Sequence, residues 1–126
     1  MVPQGLRYTK EHEWVRLDGD IATVGITDYA AHELGDVVFV ELPEVGRQVA
    51  QLAPVGVIES VKAVSDLFAP IGGEVVETNA ELSGKPELVN SDPLGDGWMI
   101  RVRVADIGQL DALLDEAAYQ ELTKEA

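Results

Sequence analysis

The apolar positions fall in short runs separated by turn residues, a pattern that predicts a mainly β protein. Residues 6–17 mix strand-prone apolar and aromatic side chains with charges, and we expect a strand pair or one bent strand there. Asp18 and Gly19 then give a tight-turn signal, and residues 20–26 follow as the next strand. Together these segments predict an N-terminal β-hairpin.

Further strands are predicted in the middle of the chain. Residues 36–42 form the most apolar run and predict a buried strand. Residues 54–61 and 64–68 predict the two arms of a second hairpin, and residues 74–77 predict another short strand. Many short strands with frequent turns favour a small flattened barrel or sandwich.

The last third of the chain contains a long loop and one more strand. Residues 79–96 are rich in turn signals, and a loop of that length in a small domain is usually functional or well packed. Residues 98–104 predict the last strand, which places Arg101 and Arg103 on one face.

Helical signals occur at two places. Residues 27–35 predict a short internal helix, because Thr27 can cap its first turn, Asp28 suits its N-terminal end and Gly35 suits a left-handed stop. Residues 106–124 predict C-terminal helices that begin at Asp106 and dock on the sheet, since their apolar residues need a surface to cover. Those apolar residues are Ile107, Leu110, Leu113, Leu114, Ala117, Tyr119 and Leu122. The chain is therefore expected to be one domain over residues 1–126, with a β core at about 6–104.

Composition and charge narrow the classes of partner. The chain has no cysteine, which excludes disulfides, thiolate nucleophiles and cysteine zinc sites. Its formal net charge of −14 repels phosphate backbones and anionic lipids, and it favours encounters with basic protein surfaces. The alternative is that the acidic residues only keep the chain soluble and select no partner. We expect a soluble monomer without a signal peptide or membrane span, cytoplasmic in a prokaryote and mitochondrial only if a presequence has been removed.

Motifs of enzymatic chemistry are missing from the sequence. It has neither a nucleophile elbow nor a glycine-rich phosphate loop, and it predicts no catalytic residue. His12 and His32 lack metal-ligand spacing, so no metal site is predicted; His12 is expected as a half-buried strand residue and His32 as a surface helix residue.

Lys62 stands out because it interrupts an apolar, strand-forming stretch. Its neighbours are Val61 and Ala63, whereas the other lysines lie in polar, loop-like or terminal sequence. A charge in such a run fits best at a turn, with Lys62 and Ala63 as the central residues and Val61 and Val64 as the closing pair. An exposed, protonated amine is a poor nucleophile, but it is well suited to acylation by an external ligase. The residue physics alone favours a simpler role, a lysine that keeps a hairpin tip soluble.

The segment Glu-Ser-Val-Lys-Ala at residues 59–63 resembles the lipoyl-lysine motif of the glycine cleavage system H-protein family. Biotinyl domains have methionine on both sides of their lysine, and lipoyl domains of 2-oxoacid dehydrogenase complexes have Asp-Lys-Ala; Val61 and Ala63 fit neither pattern. Other segments resemble the same family in order along the chain, namely residues 12–14, 25–27, 34–36, 39–43, 73–75, 86–90, 92–93 and 97–98, with Tyr8, Gly46, Pro70, Asn79 and Leu82.

This resemblance implies a lipoyl-like barrel-sandwich hybrid with one short internal helix and C-terminal helices. It also implies a non-catalytic carrier whose covalent lipoyl group on Lys62 takes the aminomethyl group of glycine from glycine decarboxylase (P-protein) to aminomethyltransferase (T-protein). Dihydrolipoamide dehydrogenase (L-protein) would re-oxidise the lipoyl group, and a lipoate ligase or lipoyl transferase would attach it.

Family positions also nominate residues for a cleft that receives the loaded arm. Glu13 and Asp66 match positions near the arm, where a carboxylate can hold a cationic aminomethyl nitrogen. Simpler roles are open for both: Glu13 as an ordinary strand-surface carboxylate, and Asp66 as a cap of the hairpin arm. Glu11 stands where relatives often have a small polar residue. A relay role, in which the chain donates or carries lipoyl groups for other enzymes, is the alternative function, and a non-lipoylated acidic interaction module is a third.

Overall fold

Two β-sheets form the body of the protein in the computed structural model, which describes residues 6–124. Within that range the strands are β1 (Leu6–Tyr8), β2 (Glu13–Asp18), β3 (Ile21–Ile26), β4 (Val37–Glu41), β5 (Gln48–Val49), β6 (Pro54–Ser60), β7 (Val64–Phe68), β8 (Gly73–Thr78) and β9 (Ile100–Val104). One sheet has the order β1-β2-β3-β9-β8-β5 and the other the order β4-β6-β7. The mainly β prediction is confirmed.

The described helices are short. They are α1 (Asp28–Leu34), α2 (Glu81–Gly84), α3 (Leu88–Ser91) and α4 (Glu116–Lys124), with a 3₁₀ helix at Ile107–Ala112. The predicted start and stop of α1 are confirmed, because Thr27 Oγ1 accepts a hydrogen bond from the amide of Ala30 at 3.1 Å and Gly35 has a φ of 77°. None of these helices, within residues 6–124, is long and apolar enough to cross a membrane.

A hydrophobic core lies between the inner faces of the two sheets. Alternate residues of β3, β8 and β9 point into it, and α1 and α3 add one buried residue each. Its fully buried members include Val15, Val24, Ile58, Leu67, Ile71, Val75, Leu82, Val89, Met99, Ile100 and Val102.

A second, aromatic cluster joins the C-terminal helix to the first strand. Tyr119 of α4 stacks on Tyr8 with ring centroids 4.4 Å apart, and Tyr8 also pairs with Leu114 through two backbone hydrogen bonds of 2.8 Å. Trp14 completes the cluster; it is fully buried and lies opposite Gly25, where a side chain would collide with the indole. The prediction that the C-terminal helices dock on the sheet is confirmed.

The segment expected to be a buried strand, residues 36–42, is only half buried. Val37 and Val40 point inward, whereas Val38 and Phe39 are each about half exposed. The cause is a β-bulge between Val37 and Phe39, which turns two successive side chains outward. The prediction of a strand is confirmed, but its burial was wrong for Val38 and Phe39.

Two further differences concern the second half of the chain. Residues 79–96 were expected as a long loop, but α2 and α3 form there; they bury Leu82 and Val89, so the segment is well packed as predicted. The C-terminal helical segment is interrupted: the 3₁₀ helix ends at Ala112, and an extended stretch with Leu114 precedes α4. Asp106 caps the first of these pieces as predicted, by accepting the amide proton of Gly108 at 3.0 Å.

Asn90 of α3 connects this helix to the end of α1 and the start of β4. Its Oδ1 accepts from the amide of Val37 at 2.8 Å, and its Nδ2 donates to the carbonyls of Gly35 at 2.8 Å and Ala31 at 3.3 Å. Asn90→Ala would remove this partner from the Val37 amide and the Gly35 carbonyl, whereas the Ala31 carbonyl would keep its bond from the Gly35 amide. We expect it to lower the free energy of unfolding by about 2 kcal/mol, measured by urea denaturation.

Ser91→Ala is the matched control for this substitution. Ser91 is the next residue of the same short helix, and its side chain is exposed. A change below about 0.5 kcal/mol is expected for it. Equal losses in the two variants would show that α3 as a whole, and not the Asn90 amide, connects these elements.

Candidate functional site

The hairpin of β6 and β7 presents Lys62 at its tip. Glu59 pairs with Val64, and the amide of Ser60 donates to the carbonyl of Ala63 at 2.8 Å, so Ser60 and Ala63 close the turn. The Ser60 hydroxyl oxygen also accepts from the amides of Lys62 at 3.3 Å and Ala63 at 3.0 Å. The predicted turn is present but one residue out of register, since its central residues are Val61 and Lys62.

The tip is anchored to the end of α1. The amide of Val61 donates to the carbonyl of Asp36 at 3.0 Å. The exposed Lys62 side chain passes over Gly35, where a Cβ would lie 3.4 Å from Lys62 Cε. Gly35 therefore supplies both the left-handed end of the helix and a flat surface along which the lysine stem can lie.

A small acidic cavity, of about 230 Å³, lies beside this end of α1. The turn between β1 and β2 contributes one wall, α1 the second, and the strands β3, β6 and β7 the rest. Its lining includes Glu11, His12, Glu13, Ala30, Glu33, Leu34, Ser65 and Asp66. The structure thus brings Glu13 and Asp66 to one cavity, while the stem of Lys62 lies at Gly35, directly after the α1 residues that line it. No group of three or more potential metal ligands is found among residues 6–124.

Glu13 is a buried carboxyl with partners on both oxygens. It is 1% exposed, its Oε1 accepts from the Thr9 hydroxyl at 2.5 Å, and its Oε2 accepts from the amide of Phe68 at 3.1 Å. Burial raises the pKa of Glu13 to about 7, and the nearby Glu11 adds to the rise, whereas the bonds from Thr9 and Phe68 oppose it. The alternative of an ordinary strand-surface carboxylate was wrong.

Asp66 lies in the middle of β7, opposite Val57, and its side chain is exposed. A residue at that position does not end the strand, which argues against a role as a cap of the hairpin arm. It lines both the acidic cavity and an open groove that Glu41 and Val57 border on the outer face of the smaller sheet.

The two histidines have different environments. His32 is exposed on α1, as predicted. His12 is half-buried as predicted, but it lies in the turn between β1 and β2 with a φ of 72°, so its assignment to a strand was wrong. Burial lowers the pKa of His12, against the opposing effect of Glu11 and Glu33. Its Nδ1 lies 2.9 Å from the Tyr119 hydroxyl, a contact between residues 107 positions apart that no local sequence signal could indicate.

Large apolar side chains are exposed at the hairpin tip and on the neighbouring strand β4. Val38 and Phe39 are exposed by 51% and 50%, and Val61 and Val64 by 69% and 68%. Exposed apolar groups gathered in one region are typical of surfaces that contact other proteins. Sequence reasoning missed Val38 and Phe39 because the run Val37–Val38–Phe39–Val40 has no alternation that separates inward from outward positions.

Comparisons with known proteins place nearly the whole chain in one family. The family model described as "Glycine cleavage H-protein" matches residues 6–126. The protein from Phenylobacterium zucineum named "Glycine cleavage system H protein" is 62% identical over 114 residues, covering 90% of this chain and 94% of that protein. The protein of the same name from Symbiobacterium thermophilum is 56% identical over 124 residues, with coverage of 98% and 97%.

The fold also matches that of a solved structure. The crystal structure of a glycine cleavage system H protein from Mycobacterium marinum matches with a TM-score of 0.89 at 39% identity, covering 98% of this chain and 99% of that one. The predicted lipoyl-like barrel-sandwich is consistent with this match. The chain therefore belongs to the glycine cleavage H-protein family.

Proposed function

We propose that this protein is the non-catalytic lipoyl carrier of a glycine cleavage system, with the lipoyl group on Lys62. The observation that carries the proposal is an exposed lysine at the tip of a two-residue hairpin turn, within the family's lysine motif. When bound, the lipoyl group supplies a disulfide that accepts the aminomethyl group of glycine and is later regenerated by oxidation. The relatives carry the glycine cleavage name, which favours this function over a lipoyl relay for other enzymes.

Lys62 fits attachment of a lipoyl group by an external lipoate ligase or lipoyl transferase. Its amine is exposed, and Val61 and Ala63 beside it are exposed as well, so an enzyme can reach it from several directions. The Ser60 hydroxyl and the Asp36 carbonyl hold the backbone of the tip, so the lysine is presented at a fixed place. Reaction of the chain with a lipoate ligase and lipoate is expected to add the mass of one lipoyl group. The absence of any added mass would favour the non-lipoylated interaction module.

The acidic cavity fits a cationic nitrogen. Glu11, Glu33 and Asp66 surround it with carboxylates, while Glu13 supplies a buried carboxyl whose charge depends on what lies next to it. A positive group favours the ionised form of a neighbouring carboxyl, so the cavity would bind an aminomethyl nitrogen and keep water from it. Ile58 and Leu34 provide the apolar part of the lining.

The outer face of the smaller sheet fits the partner enzymes. Phe39, Glu59 and Val64 form one cross-strand row, and Glu41, Val57 and Asp66 form the next. Apolar and acidic side chains thus alternate next to Lys62. We propose that glycine decarboxylase, aminomethyltransferase and dihydrolipoamide dehydrogenase approach this face in turn, with basic groups opposite its carboxylates.

Binding of aminomethyltransferase is expected to weaken about tenfold between 50 mM and 500 mM salt, since salt screens attraction to a chain of net charge −14. Glu41→Gln should reduce this dependence on salt, because Glu41 lies on the outer face near the tip. Titration calorimetry at several salt concentrations measures both effects.

Glu121→Gln makes the same change of charge on α4, where the side chain is exposed. It should leave the salt dependence as in the wild type if docking uses the outer face. An affinity that stays flat across the salt series would contradict electrostatic steering altogether.

A further inference from the structure

The Tyr119 hydroxyl connects the C-terminal helix to one wall of the acidic cavity. It lies 2.9 Å from His12 Nδ1 and 2.7 Å from Thr27 Oγ1. Tyr119 is 7% exposed; its ring stacks on Tyr8 and makes a T-shaped contact with the His12 imidazole, with centroids 5.7 Å apart. One hydroxyl group therefore contacts both the turn that carries His12 and the N-cap of α1.

The hydrogen-bond pattern is consistent with one placement of the protons along this chain of groups. Thr27 Oγ1 already accepts from the amide of Ala30, so its own proton can go to the Tyr119 oxygen. Burial raises the pKa of Tyr119 to about 12, so its hydroxyl keeps a proton and can donate it to His12 Nδ1. Burial also lowers the pKa of His12, which favours the neutral ring. A neutral imidazole that accepts at Nδ1 has its proton on Nε2.

His12 lies in the turn between β1 and β2 and is held there by bonds to two other segments. His12 has a left-handed backbone conformation, with a φ of 72°, which a residue other than glycine keeps only when its surroundings hold it. Its amide donates to the Thr9 carbonyl at 3.1 Å, and its carbonyl accepts from the amide of Thr27 at 3.0 Å. The residues on either side of it, Glu11 and Glu13, are both cavity residues.

We propose that Tyr119 is a positioning residue for the acidic cavity, because its hydroxyl fixes His12 as the Nε2–H tautomer and thereby holds the turn that carries Glu11 and Glu13. That the cavity shelters the carried aminomethyl group rests on the proposed carrier function. The His12 tautomer and the rigidity of the turn between β1 and β2 do not rest on it, and both can be measured on the chain without a lipoyl group.

Tyr119→Phe tests the proposal, since it removes the hydroxyl and keeps a ring that can stack on Tyr8. In the wild type, nitrogen NMR of His12 should show a protonated Nε2 and an Nδ1 that accepts a hydrogen bond. In the variant, the Nδ1 signal should move downfield as its donor is lost. Amide exchange of His12 and Thr27 should become roughly tenfold faster, as expected for the loss of hydrogen bonds from this network.

A second measurement uses the lipoylated chain loaded by glycine decarboxylase. The carried aminomethyl group should be lost to water several-fold faster from Tyr119→Phe, while the yield of lipoylation at Lys62 should equal that of the wild type. Urea denaturation of both proteins at the same pH shows whether the variant is folded under the conditions used.

Tyr29→Phe is the matched control. The Tyr29 ring packs on the same imidazole with centroids 4.8 Å apart, and within residues 6–124 its hydroxyl makes no hydrogen bond to His12. In Tyr29→Phe, the amide exchange rates of His12 and Thr27 and the rate at which the carried aminomethyl group is lost should match those of the wild type. A protonated Nδ1 in the wild type, or exchange in Tyr119→Phe at the wild-type rate, would overturn the proposal. If the wild type takes up no aminomethyl group while Tyr119→Phe still accelerates exchange, the carrier function fails and the positioning role of Tyr119 stands.

Discussion

Lys62→Arg is expected to remain unmodified under conditions in which the wild-type chain gains the mass of one lipoyl group. Arginine keeps the positive charge and nearly the same reach, but its guanidinium stays protonated and is not a substrate for acylation. The turn itself should be unaffected, because the Ser60 hydroxyl binds the backbone of residue 62 and not its side chain. Intact mass after reaction with lipoate ligase and lipoate measures the effect directly, and glycine–CO2 exchange with the other components should fall to background.

Lys85→Arg is the control for this substitution. Lys85 is an exposed lysine at the end of α2. Replacing it makes the same chemical change outside the hairpin. This variant should gain the lipoyl mass in full.

A native gel gives a second measure of modification. Acylation of Lys62 takes the net charge from −14 to −15, so the modified chain should move further toward the anode. An added lipoyl mass on Lys62→Arg would place the attachment point at another lysine.

The hairpin that presents Lys62 could be predicted from sequence, but its register could not. The apolar arms and the interrupting charge place a turn near residue 62, yet several two-residue turns fit the same pattern. The side chain of Ser60 selects one of these turns, since its hydroxyl oxygen accepts hydrogen bonds from the amides of both Lys62 and Ala63. That bonding needs no left-handed residue, so the turn lacks the Asn-Gly or Asp-Gly signature of tight hairpins.

The site around the lysine was only partly predictable, because its contacts join distant segments. Family positions indicated Glu13 and Asp66, and the structure places both at one cavity. The buried carboxyl of Glu13 accepts from the amide of Phe68, 55 positions away, and the His12 ring contacts the hydroxyl of Tyr119, 107 positions away. Periodicity describes one segment at a time, so it cannot anticipate such pairs.

The buried carboxyl of Glu13 should make the stability of the protein depend on pH. Burial raises its pKa from an ordinary value of 4.5 to about 7, so the folded chain binds this proton more tightly than the unfolded chain does. Between those two values the folded state carries the proton and the unfolded state has lost it. The free energy of unfolding therefore falls as the pH rises from about 4.5 to about 7, and Glu13 has no further effect above that range.

Glu13→Gln removes this titration and keeps the shape of the side chain. Since each pKa unit corresponds to about 1.4 kcal/mol, the stability of the Gln variant relative to the wild type should increase by about 3 kcal/mol between pH 4.5 and pH 8. Urea denaturation of both proteins at several pH values measures this difference, and a carbon NMR titration of Glu13 should show a midpoint near 7.

Glu121→Gln provides the comparison, because Glu121 is an exposed carboxylate on α4. Its effect on stability should stay below about 0.5 kcal/mol at each pH. A constant difference between Glu13→Gln and the wild type across the series would mean that folding leaves the pKa of Glu13 unchanged. The bonds from Thr9 and Phe68 would then offset the cost of burial, and the cavity would hold a negative charge at neutral pH.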